Sequence, residues 1–215
     1  MKFRTVAIAG LGAVALSGCH HAGDIVIQEG VGITALRSVC PAVGVPDYTG
    51  DVTLFNPPEG RTQEAIDVTA TITNVRTTCN DSEAKVYAVA NFDVNALRRD
   101  TRGARTVTLP FFTTVVRGGD AVTAKRVGSV TLTFADGQAR AQASAAGAAY
   151  IDKAEATLSD EYKQRITRKR KSGEADAAVD PLTEPDVKAA LARASFELLV
   201  GFQLTNEQLA YNATR

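Results

Sequence analysis

Apolar and polar residues alternate along much of the middle of the chain, and this period of two predicts β-strands. The clearest run covers residues 66–73, and similar runs cover 52–55, 86–94, 107–115 and 130–134. Pro110 lies inside one of them and predicts an edge strand or a bulge, because proline lacks the N–H that a β-ladder uses. Asp136 and Gly137 predict a tight hairpin that joins the last run to a strand of small residues, 139–145.

The period changes to three or four residues from about residue 150. The apolar positions in 150–166 predict a helix, with Gly173 as a terminator. A second helix is predicted over residues 187–194, with Thr183 as its N-cap. Together they would form a helical hairpin at about residues 150–194.

The sum of these elements predicts a mainly β protein. Six or seven short strands with turn residues between them indicate an immunoglobulin-like β-sandwich of about seven strands. The helical hairpin would be inserted before the last strand, residues 196–204. Thr205 and Gln208 have the spacing of a capping box and predict a short C-terminal helix. A single domain is expected over residues 34–215, and the absence of tryptophan limits the immunoglobulin likeness to architecture.

The beginning of the chain has the pattern of an export signal. Lys2 and Arg4 precede an apolar run over residues 6–16, which is shorter than the roughly 20 residues that span a bilayer. The run ends in Leu16-Ser17-Gly18-Cys19, which resembles the lipobox of bacterial lipoproteins. The resemblance implies that residues 1–18 are a removable signal peptide.

Cys19 would then become the first residue of the mature protein and carry the lipid that holds it in a membrane. Several acyl chains on one residue anchor stably, because each buried methylene contributes about 0.8 kcal/mol. Residues 19–33 would form a tether. His20 follows the cysteine where an inner-membrane retention signal would have Asp, so we expect the outer membrane, facing the periplasm.

Two cysteines remain once Cys19 is lipidated. The periplasm is oxidising, so Cys40 and Cys79 are expected to form one disulfide bond. A redox or metal pair is the alternative, but the sequence offers no C-x-x-C motif and no nearby histidine.

Composition and motifs argue against several functions. The chain has 24 basic and 24 acidic residues, and loss of residues 1–18 removes two of the basic ones, so no charge excess favours nucleic acid. Both histidines, His20 and His21, lie on the tether, which disfavours Ser-His-Asp, Cys-His and zinc chemistry in the domain. Phosphate-binding glycine motifs are missing. We therefore expect a non-catalytic protein without a metal or cofactor.

A short basic run is the surface feature with a possible ligand. It consists of Arg165, Arg168, Lys169, Arg170 and Lys171. These residues could bind an anionic surface such as lipopolysaccharide phosphate, anionic lipid or peptidoglycan. The alternative is a solvated helix end, where basic residues face the negative end of the helix dipole.

Several stretches of the domain resemble one family of proteobacterial envelope lipoproteins of unassigned function. The matching stretches are Cys40-Pro41, residues 51–55, Cys79, residues 109–112 and residues 200–212. The resemblance implies a two-layer β domain with a Cys40–Cys79 bond, and it supplies no activity.

Three functions stay open from the sequence. The first is a lipid-anchored binding or structural module that contacts an envelope protein through a strand edge or the helical hairpin. The second is a binder of a small ligand, lipid or glycan, held under the helical hairpin above residues 139–145. The third is a hydrolase with two convergent carboxylates.

Overall fold

Two four-stranded β-sheets pack face to face, and a helical segment joins their last two strands. A computed structural model describes residues 38–215, so the predicted signal peptide, Cys19 and the tether lie outside the described residues. In chain order the elements are β1 (Ala42–Gly44), β2 (Asp51–Phe55), β3 (Ile66–Asn80), β4 (Lys85–Arg98), β5 (Arg105–Arg117), β6 (Ala121–Phe134), β7 (Arg140–Asp152), α1 (Asp160–Thr167), α2 (Pro185–Ala194), β8 (Phe196–Phe202) and α3 (Asn206–Thr214).

The strand order is β1-β8-β5-β6 in the first sheet and β2-β3-β4-β7 in the second. The short β1 pairs with β8 in parallel, and the other strand pairs are antiparallel. The predicted fold class is therefore confirmed: a mainly β sandwich with a helical insertion before the last strand and a short C-terminal helix. The described residues form eight strands, where about seven were expected.

The core lies between the two sheets and follows from the period of two. In β4 every second side chain is buried, from Val86 to Ala96, while the residues between them face outward. Across the sandwich, Phe92 of β4 meets Phe111 of β5 edge to face, with ring centroids 5.1 Å apart. Burial of one such side chain contributes about 1.5–3 kcal/mol.

Small residues on β7 allow the sheets to approach closely. A Cβ atom on Gly147 would lie 2.0 Å from the Thr113 hydroxyl oxygen of β5, so no larger residue fits there without a shift of the sheets. The half-buried Ala141, Ala143 and Ala145 pack against the same core. The facing sheet therefore covers these small side chains, and the helical insertion does not.

The predicted disulfide bond is present and joins the two layers. Cys40 lies two residues before β1 of the first sheet, and Cys79 lies near the end of β3 of the second sheet, with their Cα atoms 6.1 Å apart. The bond therefore fixes the first described residues of the chain to the opposite sheet.

The prediction that Pro110 marks an edge or a bulge is met in its first form, because β8 stops pairing with β5 beside this residue. Strand β5 pairs with β6 along its whole length, but β8 pairs with it only over Phe111–Arg117, and the bulge lies at Val115 and Val116. Strand β8 ends at Phe202, and the Pro110 carbonyl accepts a hydrogen bond from the Gln203 N–H just beyond it. The missing proline N–H thus falls where the β8 ladder ends, so it costs no internal hydrogen bond.

The predicted Asp136–Gly137 hairpin is wrong. Gly137 does adopt a turn conformation with φ of 77°, but the two strands beside it belong to different sheets. Strand β6 pairs with β5, and β7 pairs with β4. The segment is therefore a corner at which the chain crosses from one layer to the other.

The helical insertion begins later than predicted. Tyr150 and Ile151 belong to β7, which continues to Asp152, and α1 starts only at Asp160. The α2 helix starts at Pro185 with Glu184 as its N-cap, so the expected cap at Thr183 is wrong by one residue. A separate small apolar cluster holds the insertion together and includes Leu158, Ile166 and Val187.

The C-terminal helix α3 begins where the capping-box residues predict it. The Thr205 hydroxyl accepts from the Gln208 backbone N–H, and the Gln208 side chain accepts from the Thr205 N–H, which confirms the capping box. Asn212 then donates to the carbonyls of Tyr48 and Asp51, each at 2.8 Å, and so attaches α3 to the start of β2.

Candidate functional site

The predicted basic run lies at the end of α1 and in the loop that follows it. Arg165 forms ion pairs with Glu184 and with Asp186 at the start of α2. Hydrogen bonds from Arg165 lower the pKa of Asp186 and keep its carboxylate charged. Arg165 therefore holds the two helices of the insertion together.

The next two arginines of the run are paired in the same way. Arg168 contacts Glu174 at 2.6 Å and Asp176 at 3.5 Å. The hydrogen bond with Glu174 raises the pKa of Arg168. Arg170 is 5% exposed and contacts Asp176 at 3.3 Å.

The two lysines of the run differ from its arginines. Lys169 and Lys171 are exposed, and no carboxylate within residues 38–215 lies within 4.0 Å of either ammonium group. Because the insertion's own acids neutralise the arginines, two positive charges of the run remain for an external anion. Binding of an anionic surface by this run stays a prediction.

Carboxylates come close together at these arginines, but not in an arrangement suited to hydrolysis. Glu184 and Asp186 are both bound to Arg165, and Glu174 and Asp176 are both bound to Arg168. A glycosidase acid needs a carboxyl group with a raised pKa, whereas the pKa of Asp186 is lowered. Within residues 38–215, no three His, Cys, Asp or Glu side chains are placed to share a metal ion.

A hollow lies between the insertion and the end of β5, and its lining includes none of residues 139–145, over which a bound ligand was expected. Its volume is about 250 Å³, and it is lined by residues that include Arg117, Glu155 and Tyr162. Small-molecule sites usually measure about 300–1,000 Å³. Arg117 also donates to the Arg193 carbonyl at 2.6 Å, which fastens the insertion to β5.

Strand β6 forms one edge of the first sheet, and half of its length is exposed to solvent. Residues 121–127 are exposed on both faces of the strand, and Val122 and Val127 are 62% and 61% exposed. Buried positions begin only at Val130. Most strands of a sandwich hide one face, so this segment extends beyond the facing sheet.

The register shows which backbone groups of β6 point outward. Pro110 directs its carbonyl to Gln203 on the β8 side, and backbone groups alternate along a strand. Phe111 therefore directs its N–H and carbonyl toward β6, where it pairs with Gly128. Val127 is the neighbour of Gly128, so its N–H and carbonyl point away from β5, toward solvent at the free edge of the sheet.

A buried arginine, Arg98, lies outside every site that the sequence predicts. Arg98 is the last residue of β4, is 2% exposed, and its guanidinium lies 5.2 Å from the Phe134 ring centroid. The guanidinium donates to the carbonyls of Gln138, Gly103, Thr101 and Ala135 at 2.7–2.8 Å. Its place as the next inward position after Ala96 in the alternating run is the signal that identifies it.

Comparison with known protein families, with curated proteins and with solved structures finds no match for the chain. The resemblance to envelope lipoproteins therefore stays a prediction. In the described part of the chain, no helix has the length and apolar character needed to span a bilayer.

Proposed function

We propose that the protein is an envelope lipoprotein, anchored through lipid on Cys19, that works as a non-catalytic module and binds a partner protein by strand addition at β6. The lipobox resemblance at residues 16–19 and the Cys40–Cys79 disulfide bond, which suits an oxidising compartment, support the location. The exposed segment 121–127 of β6 carries the rest of the proposal.

Strand addition uses the unpaired N–H and carbonyl groups of a sheet edge, with side-chain contacts that add specificity. Val127 offers an outward N–H and carbonyl, and the exposed side chains of Val122 and Val127 offer apolar contacts. Lys125 and Arg126 lie between them and are exposed. We therefore infer a partner that contributes an extended segment with acidic side chains.

The basic run and the hollow under the insertion are less suited to the binding functions predicted for them. The arginines of the basic run are occupied by carboxylates of the insertion, as Arg165 is by Asp186. The hollow under the insertion is small for a lipid, at about 250 Å³. A structural role for the insertion and a binding role for the β6 edge fit these contacts best.

Substitution of Val127 by proline tests strand addition. Proline removes the outward N–H of this residue without removing a hydrogen bond to β5. With a photoreactive residue in place of Val122, the full-length protein in its own envelope should cross-link to one product of constant mass. The yield should fall about ten-fold in Val127→Pro, because the partner loses a main-chain hydrogen bond and strand fit.

Val127→Thr is the matched control, because threonine keeps the N–H and the β-branched shape. Its cross-linking yield should stay within about two-fold of that of the unsubstituted protein, because threonine loses only one methyl contact of Val127. An unchanged yield in Val127→Pro, with an unchanged melting temperature, would rule out strand addition at this edge.

A further inference from the structure

The outward side chains of β3, β4 and β7 form one continuous surface, which we call the polar face. It lies on the side of β4 opposite the buried row from Val86 to Ala96. Strand register places its residues in six cross-strand rows. The rows are Asn80, Tyr87 and Tyr150; Thr78, Val89 and Ala148; Arg76, Asn91 and Ala146; Thr73, Asp93 and Ser144; Thr71, Asn95 and Gln142; and Thr69, Leu97 and Arg140.

Three shallow hollows follow one another along the polar face. Their volumes are about 340 Å³ beside Tyr87 and Tyr150, about 440 Å³ around Asp93, and about 490 Å³ around Asn95 and Leu97. From Tyr87 to Leu97 the face is about 33 Å long, at about 3.3 Å per residue. The shape suits an extended chain better than a compact small molecule.

An aromatic pair marks one end of the polar face. The Tyr87 and Tyr150 rings lie 4.7 Å apart between centroids with an angle of 34° between their planes. Tyr150 is 65% exposed and Tyr87 is 38% exposed. Contact between the rings restricts the movement of each, and the part of each ring that stays exposed is an apolar surface that ends in a hydroxyl group.

Hydrogen bonds fix the polar groups at the centre of the face. Asp93 accepts from the Ser144 hydroxyl at 2.7 Å and from the Asn74 amide at 2.9 Å. These two hydrogen bonds lower the pKa of Asp93, so at neutral pH it is a charged acceptor. The Asn95 amide donates to the Thr73 hydroxyl at 2.8 Å, which orients its carbonyl oxygen.

Other polar groups on the face are available to a ligand. Within residues 38–215, the exposed side-chain amides of Asn91 and Gln142 make no hydrogen bond. Amide and carboxylate groups offer the paired donors and acceptors that match neighbouring hydroxyl and acetamido groups.

The charges on the polar face are few and mixed. Asp93 lies at its centre, and Arg76 and Arg140 lie in separate rows. Proteins bind phosphate-rich polymers through clusters of Lys and Arg, and the face has no such cluster. Its electrostatics match a polymer with many hydrogen-bonding groups and an uncharged backbone.

We propose that the polar face binds the glycan strand of peptidoglycan, with sugar rings stacked on Tyr150 and Tyr87 and with hydroxyl and acetamido groups bound by Asn91, Asp93, Asn95 and Gln142. This glycan backbone is linear and uncharged, because its lactyl carboxyl groups are joined to peptides as amides. The choice of this glycan rests on the periplasmic location proposed above, whereas the binding face belongs to the other sheet from β6.

Co-sedimentation with purified peptidoglycan sacculi tests the proposal. The full-length protein in detergent should sediment with the sacculi, and chitohexaose, a soluble chain of N-acetylglucosamine, should displace it. Tyr150→Ala should weaken the binding about ten-fold, a ratio typical for loss of one aromatic contact, and addition of Tyr87→Ala should weaken it further. Tyr150→Phe keeps the ring and should bind within about two-fold of the unsubstituted protein.

Two results would overturn the proposal. One is failure of the unsubstituted, folded protein to sediment with sacculi. The other is equal sedimentation of the Tyr87→Ala/Tyr150→Ala variant at an unchanged melting temperature. Val127→Pro should bind sacculi normally, so a failure of strand addition at β6 and a failure of glycan binding give different results.

Discussion

Replacement of Arg98 by alanine is expected to lower the free energy of unfolding by about 3–5 kcal/mol, the range for removal of one member of a buried polar network. The guanidinium donates to four carbonyl oxygens at the corner where the β4–β5 and β6–β7 connections meet. Truncation would leave these acceptors without a donor and open a cavity beside Phe134. In a domain of this size the loss corresponds to about 6–20 °C in melting temperature.

Thermal unfolding followed by circular dichroism checks this expectation, with Arg99→Ala as the matched control. Arg99 is the next residue along the chain, is exposed, and donates to the Gln63 carbonyl. Its loss should cost less than about 1 kcal/mol. Arg98→Lys keeps the charge but not the planar set of donors, so it should remain clearly destabilised. A melting temperature of Arg98→Ala equal to that of Arg99→Ala would contradict the role given to the guanidinium.

Loss of the Cys40–Cys79 bond is expected to lower the free energy of unfolding by a similar amount. The bond closes a loop with a sequence separation of 39 residues. On the chain-entropy account, such a loop contributes about 4 kcal/mol, which is about 8–16 °C in melting temperature here. The stabilisation arises because the open chain has more conformations to lose when β1 and β3 are brought together in the sandwich.

Chemical reduction distinguishes the stability that the disulfide bond contributes from the stability that the packing of the two cysteine side chains contributes. A thiol reductant should lower the melting temperature of the unsubstituted protein by that amount and leave the Cys40→Ala/Cys79→Ala variant unchanged. If reduction, verified by thiol titration, leaves the melting temperature of the unsubstituted protein unchanged, the bond does not hold the two sheets together.

Local patterns predicted most of the fold. Alternation identified the long strands of both sheets. The number of remaining cysteines and the capping box at Thr205 also identified real contacts. These features depend on neighbours along the chain or on chemistry that few partners satisfy.

The errors concern contacts between distant segments. Asp136 and Gly137 specify a change of direction, but not whether the next strand pairs with β6 or crosses to β4. Pro110 indicates that one side of β5 is unpaired at this point, but not that β8 is the strand that ends beside it. Apolar residues near Tyr150 fit a helix period and a strand period equally well, and pairing with β4 decides for the strand.

The candidate surfaces were predictable only in part. The exposed edge of β6 depends on which strand lies next to it, and this follows from the topology. Tyr87 and Tyr150 occupy outward positions in their strands, but only the register brings their rings together. In the basic run, the sequence gives the positive charges of Arg165 and Arg168 but not the carboxylates that fold against them.

Anchorage at Cys19 is the claim on which the proposed function depends most, because it would place both proposed binding surfaces in the periplasm beside a membrane. Mass spectrometry of the mature protein, purified from its own membrane, tests it directly. The N-terminal peptide should begin at Cys19 and carry the mass of a diacylglyceryl group and an amide-linked acyl chain. A mature chain that begins at another residue, or an unmodified Cys19, would contradict the account.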